Sequence, residues 1–171
     1  ARQALQRLVD RGLLTRRRGV GTIVSPRQVH RPVELTSLMK DLVEAGHQVH
    51  TTIQRYEARP ATETEADVLK VAEGTLVVHI ERTRFTNSEP IAVLTNLIPA
   101  DIAPTMQELE SNSLYDMMRE RGVTLASARQ VIGARTATAK EAKLLSEHRG
   151  AALLTTQRTT YDPSGRVVEY G

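Results

Sequence analysis

The run LVVHIERTR, residues 76–84, places two arginines two positions apart at the end of an aliphatic β-type pattern. Residues two apart on an extended chain share a face and stand about 7 Å from one another. Alternation puts Leu76, Val78, Ile80, Arg82 and Arg84 on one face, with Val77, His79, Glu81, Thr83 and Phe85 on the other. The arginines therefore follow the more apolar face. Burying a guanidinium without an anion costs on the order of several kcal/mol, so each must find a partner or reach water. Two forks side by side can clamp one phosphate or carboxylate. The residues alone leave two plainer outcomes open, an internal salt bridge to an acid such as Glu169 or exposure at a frayed strand end.

A second set of cations lies near the start. Residues 1–31 hold eight arginines against one acid, Asp10, whereas the remaining residues hold 15 basic and 19 acidic side chains. A basic head on a mildly acidic body suits a polyanion that meets the head only, nucleic acid above all; an arginine-rich solvated surface is the alternative. Other chemistries find little support. The sequence has no cysteine, which removes disulfides, thiolate metal sites and thiol nucleophiles, and suits a reducing cytosol. His47 and His50 fall at spacing three on a predicted strand, hence on opposite faces, and no cluster completes a metal site. There is no nucleophile-elbow glycine pattern. No catalytic residue, metal or cofactor is expected, and the expected localisation is cytoplasmic. No run of about 18 apolar residues offers a membrane span, and ARQALQRLVD has no signal-type apolar stretch. Position 1 is Ala, within a helical pattern, so the chain is expected to begin partway into a longer protein.

The elements that must position these residues can be read from periodicity. In ARQALQRLVDRG, Leu5, Leu8 and Val9 recur at helical spacing before Gly12. LLTRRRGVGTIVS then offers two β-prone arms around Gly19-Val20-Gly21, a basic hairpin with a glycine tip. SPRQVHRP, with two prolines and no period, supplies a linker, drawn at 27–32. Beyond it, ELTSLMKDLVEAG sets Leu35, Leu38, Met39, Leu42 and Val43 on one helical stripe with Thr36 or Ser37 as the cap. TETEADVLKVAEG spaces Thr62 and Glu65 as a capping box. Short helices are predicted at 113–122 and 139–148, and strands near 48–58, 75–86, 90–98, 124–137, 151–161 and 166–170. NSEP and DPSG are hairpin turns. The expected class is α+β with a mainly antiparallel sheet.

ARQALQRLVDRGLLTRRRGVGTIVS resembles the second half of the winged helix-turn-helix of GntR-family transcriptional regulators. The resemblance implies DNA contacts from Arg2 on the recognition helix and from Arg16, Arg17, Arg18 and Gly21 at the wing. LTSLMKDLVEAG, LKVAEGTLVVHIERTRFTNSEPIAV, IPADIAP, SLYDMM and LLTTQRTTYDPSGRVVEY, in that order, resemble the UTRA effector-binding domain of the HutC subfamily. The implied organisation is the C-terminal part of a winged helix at 1–26, a linker at 27–32 and a UTRA domain of chorismate lyase-like fold at 33–171. The implied function is a repressor-type regulator, homodimeric, whose affinity for operator DNA is set by a small anionic effector such as a sugar phosphate or carboxylate. In that family the pair matching Arg82 and Arg84 reaches the anionic group, aided by positions matching Ser37, Ser113 and Tyr115. Glu169 matches a glutamate that accepts from ligand hydroxyls, with Arg158 as its expected partner. Ser37, near a helix start, also has free backbone N–H groups beside it, although capping alone would explain it. Where members that take amino-sugar phosphates often carry a glutamate, PIAVL has Leu94. A chorismate lyase-like enzyme, and a ligand-binding module without DNA binding, are the alternatives.

Overall fold

The computed structural model describes residues 3, 5, 6, 14–17, 21–24 and 38–171. Arg2, Arg18, Ser37 and the linker lie outside the described residues. Near the start, β1 (Leu14–Arg17) pairs antiparallel with β2 (Gly21–Val24), from Leu14 opposite Val24 to Arg17 opposite Gly21. Gly21 has φ of 99°, in the region where a Cβ is strained. These are the two arms predicted from LLTRRRGVGTIVS.

The body contains α1 (Leu38–Glu44), β3 (Val49–Pro60), α2 (Glu63–Leu69), β4 (Leu76–Thr86), β5 (Glu89–Pro99), α3 (Met106–Ser111), α4 (Leu114–Glu120), β6 (Ser127–Thr136), α5 (Ala139–Leu144), β7 (Ala152–Tyr161) and β8 (Val167–Tyr170). Six strands form one sheet in the order β3-β4-β5-β8-β7-β6, with every neighbouring pair antiparallel. Two turns set its registers. Asn87 and Ser88 carry φ of 49° and 74°, the doubly left-handed geometry that matches strand twist in a two-residue hairpin. At the other turn, the Asp162 carboxylate accepts from the backbone N–H groups of Ser164 and Arg166 at 2.9 and 3.0 Å, an Asx-type closure of DPSG.

Both sheet faces bury apolar side chains. On one face Val78, Ile80, Ile98 and Val168 pack against Leu109, Leu114, Tyr115 and Met118 of α3 and α4. On the other, Val77, Leu97 and Val167 pack against Ala66 and Leu69 of α2. Val77, assigned by alternation to the less apolar face, is therefore fully buried, while Leu76 at the strand's start is 53% exposed. Burial depends on which helix lies above a position, and β4 has helices on both sides.

Helices α2, α3 and α5 open the same way. Thr62, Thr105 and Thr138 each accept from the backbone N–H three residues on, and Glu65, Glu108 and Glu141 reach back to the cap. Arg59, Arg121 and Arg135 then hold those glutamates at 2.6, 2.5 and 2.5 Å. The paired guanidinium first at Glu65 and Glu141, and the Thr105 cap bonds first at Glu108, bring each of the three carboxyls down to about 2. Helix α3 was not expected, although Thr105 and Glu108 carry its start signal. In α1 no residue is fully buried, and Leu38 and Val43 of the expected stripe are exposed.

Candidate anion site

The strand bearing Arg82 and Arg84 is central enough for neither plain outcome to hold. Arg82 lies opposite Ile53 of β3 and Leu94 of β5, and Arg84 opposite Thr51 and Ala92. The two residues are 4% and 3% exposed, so neither escapes to water at a frayed end. Nor does Glu169 pair with Arg82 directly. Arg82 Nη2 donates to Asn96 Oδ1 at 3.0 Å, and Asn96 Nδ2 donates to Glu169 Oε1 at 2.6 Å. Arg84 Nη1 donates to the Thr51 hydroxyl at 2.5 Å. That leaves Arg82 Nε and Nη1, and Arg84 Nε, buried without a hydrogen-bond partner in the protein. Burial, then the neighbouring charge of Arg84, brings the Arg82 guanidinium down to about 10. Burial lowers Arg84 as well.

The far end of the network is built on β8 and α4. Opposite β7 the register of β8 slips, with Thr160 facing Glu169 and Tyr161 facing Val167, so Val168 is the extra residue of a bulge. The slip lets two consecutive residues serve one side, Val168 in the core beside Tyr115 and Glu169 hydrogen-bonded to Tyr115. Glu169 Oε2 accepts from Thr160 Oγ1 at 2.8 Å and from the Tyr115 hydroxyl at 3.2 Å. The residue is 2% exposed, and burial pushes its carboxyl up against the opposing pull of these hydrogen bonds and of Arg158. Tyr115 is also raised, by burial first and the Glu169 charge second. The Arg158 guanidinium lies 5.9 Å from the Tyr115 ring centre, and Nη1 donates to its hydroxyl at 3.4 Å. Arg158 Nε donates to Gln130 Oε1 at 2.8 Å.

Ser113 occupies the N-cap position of α4 without capping it, and its buried hydroxyl has no partner in the protein. A buried hydroxyl left this way is costly. Of the predicted effector residues, Arg82, Tyr115, Arg158 and Glu169 are joined in one network; Arg84 sits beside Arg82, and Ser113 precedes Leu114 and Tyr115 on α4. Sequence reasoning missed Asn96, Thr160, Thr51 and Gln130. Asn96 had a signal, since it alternates with Leu94 and Ile98 on β5 and so puts an amide at an inward position. His47 precedes β3 instead of lying on it, and His50 stacks on Phe85 with ring centres 4.6 Å apart. Among the described residues no group of three or more His, Cys, Asp or Glu could hold a metal, and no helix is long and apolar enough to cross a membrane. A groove of about 420 Å³ lined by Asp67, Val68, Lys70, Thr159 and Tyr161 holds none of the predicted residues.

The fold is thus a helix-covered antiparallel sheet that encloses buried arginines with spare donors. Residues 44–171 match the UTRA domain, and the chain belongs to that family. It is 32% identical to the HTH-type transcriptional repressor NagR of Bacillus subtilis over 99% of this chain and 71% of that protein. It is 33% identical to the transcriptional regulator PhnF of Escherichia coli, over 84% of this chain and 61% of that protein. Among solved structures, PhnF of Mycobacterium smegmatis matches with a TM-score of 0.73 and 27% identity, covering 99% of this chain and 76% of that one. A transcriptional regulator from Streptomyces coelicolor matches with a TM-score of 0.66 and 47% identity, covering 72% and 83%. The chain is thus part of a transcriptional regulator.

Proposed function

We propose that Arg82, Arg84, Ser113, Tyr115, Arg158 and Glu169 bind a small anionic effector that controls the regulator's hold on operator DNA. The observation that carries this is the spare bonding capacity of the buried cations, with Arg82 Nε and Nη1, Arg84 Nε and Ser113 Oγ all lacking a protein partner. An anion held between Arg82, Arg84 and Ser113 would offer acceptors to several of these donors. The charge balance favours a dianion. Three guanidinium groups face one carboxyl, and burial biases that carboxyl toward its neutral form. The carboxyl end, with Tyr115 and Thr160 beside it, suits hydroxyl groups on the rest of the ligand. Leu94 lies opposite Arg82 and offers no carboxylate to a ligand amine, which supports a neutral polyhydroxyl body over an amino sugar.

On this reading, residues 1–26 belong to a winged helix in which Arg2, Arg16, Arg17, Arg18 and Gly21 meet DNA, 27–32 are a linker, and 33–171 receive the effector together with Ser37. The regulator acts as a cytoplasmic homodimer, as paired half-sites require, and as a repressor released by its effector. The regulator names of the relatives favour this role over an enzymatic one. The test is operator binding by the full-length regulator with and without candidate phosphorylated sugars and carboxylates. Arg82→Ala and Arg84→Ala should bind operator normally and ignore the effector that releases the parent protein. A normal response in both would sink the assignment.

A further inference from the structure

The position of Asn96 goes beyond that reading while resting on it. Arg82 and Glu169 lie on strands β4 and β8, which do not adjoin in the sheet; β5 runs between them. Without an intervening group, a buried guanidinium and a buried carboxyl this close in the network would gain most by pairing with each other. Such a pair would consume the donors that an anion needs. The side chain between them is an amide that is 7% exposed, accepting from Arg82 Nη2 at 3.0 Å and donating to Glu169 Oε1 at 2.6 Å. An amide is the simplest side chain that can present a neutral acceptor to the cation and a donor to the carboxylate together.

We infer that Asn96 is a positioning residue that holds Arg82 away from Glu169, so that Arg82 Nε and Nη1 stay free for an anion. It acts through Arg82 and Glu169 and need not touch the ligand. The groups around it are Arg82 and Arg84 on β4, Glu169 on β8, Tyr115 on α4 and Arg158 on β7. Two substitutions separate positioning from bulk packing. Asn96→Leu fills similar space but removes both bonds. Asn96→Asp keeps the shape; its ionised carboxylate would pair with Arg82 and repel Glu169, whereas its protonated form restores an O–H donor and a carbonyl acceptor.

Sulfate is the probe, because it remains a dianion between pH 4.5 and 8 and so does not itself titrate. Its affinity would be measured calorimetrically on the 171-residue chain, with melting curves to confirm folding. Asn96→Leu should weaken sulfate about tenfold across the whole range. Asn96→Asp should be weakened at least tenfold at pH 8 and recover toward the parent affinity at low pH, a recovery that a merely structural role would not produce. Parent-like sulfate affinity in Asn96→Asp at pH 8, or a pH-independent loss in that folded variant, overturns the inference. The control is Arg82→Ala. If it leaves sulfate affinity unchanged, the anion site itself is wrong; if it abolishes binding while both Asn96 variants bind normally, the site stands and only the role of Asn96 falls.

Discussion

Replacing Arg82 by Met should make the unliganded protein more stable and deaf to anions. The guanidinium is brought well below its ordinary value, to about 10, by burial and by Arg84. At about 1.4 kcal/mol per tenfold change in proton affinity, keeping it charged costs the fold about 3 kcal/mol. The sign follows from linkage. A group whose folded value is depressed is destabilising while it is protonated, so the cost is present in full at pH 7 and is relieved only as pH rises through about 10. Met removes the charge and keeps most of the apolar stem. Against this stand the lost bond to Asn96 and the stranded Oδ1 acceptor, together about 1–2 kcal/mol. The net gain is about 1–2 kcal/mol, or about 3–6 °C in Tm for a domain of this size. Melts in chloride and in sulfate make the assay. The parent should rise by about 1.4 kcal/mol at sulfate ten times its Kd, and Arg82→Met should start higher and not rise. A variant that melts lower than the parent and keeps the sulfate increment would show Arg82 to be a structural residue, and the argument from spare donors would fail.

Three further outcomes are expected. Burial raises the Glu169 carboxyl, so the stability it contributes is fully present below 4.5 and is lost as pH rises through its folded value; Glu169→Gln should flatten that decline in urea melts between pH 4 and 8, and parallel curves would refute the desolvation. Leu109 of α3 is fully buried against β4 and α4, so Leu109→Ala should cost about 2–5 kcal/mol in urea unfolding; a loss under about 1 kcal/mol would mean that α3 is not part of the core. In the full-length regulator, Arg16→Ala should weaken operator binding and reduce the salt slope by about 1, with effector affinity unchanged. An unaltered slope would remove Arg16 from the DNA contacts.

Periodicity carried the sheet. The β-type runs named from sequence all became strands, within a few residues at each end, because alternation and turn chemistry are local. What it could not carry was the cover. Whether Val77 is buried depends on α2 lying over it, and the arginines escape the frayed end only because β3 and β5 flank them along their whole length. The miss at α3 was avoidable, since Thr105 and Glu108 repeat the spacing of Thr62 and Glu65. At the site, the arginine pair was legible as an oddity on an apolar face. The intervening amide was less so, because the link from Arg82 through Asn96 leaves the β4-β5 hairpin for Glu169, 73 residues beyond Asn96, and Glu169 turns inward only by virtue of the β8 bulge.

Three members of the network stand beside a core residue in sequence or in alternation: Arg82 after Ile80 on β4, Tyr115 after Leu114 on α4, Glu169 after Val168 on β8. The core fixes these three backbones, so the polar groups are held by packing that does not depend on a ligand. A site built this way is preorganised, and the cost of burying its cations falls on the unliganded state. On the proposed reading, an anion that relieves that cost must act on β4, β8 and α4 together. Helix α4 is the one among them outside the sheet ladder, and it alone can shift without breaking strand pairing. Effector binding would therefore be expressed first in the placement of α4, and only a difference in that placement between bound and free states could bias DNA affinity.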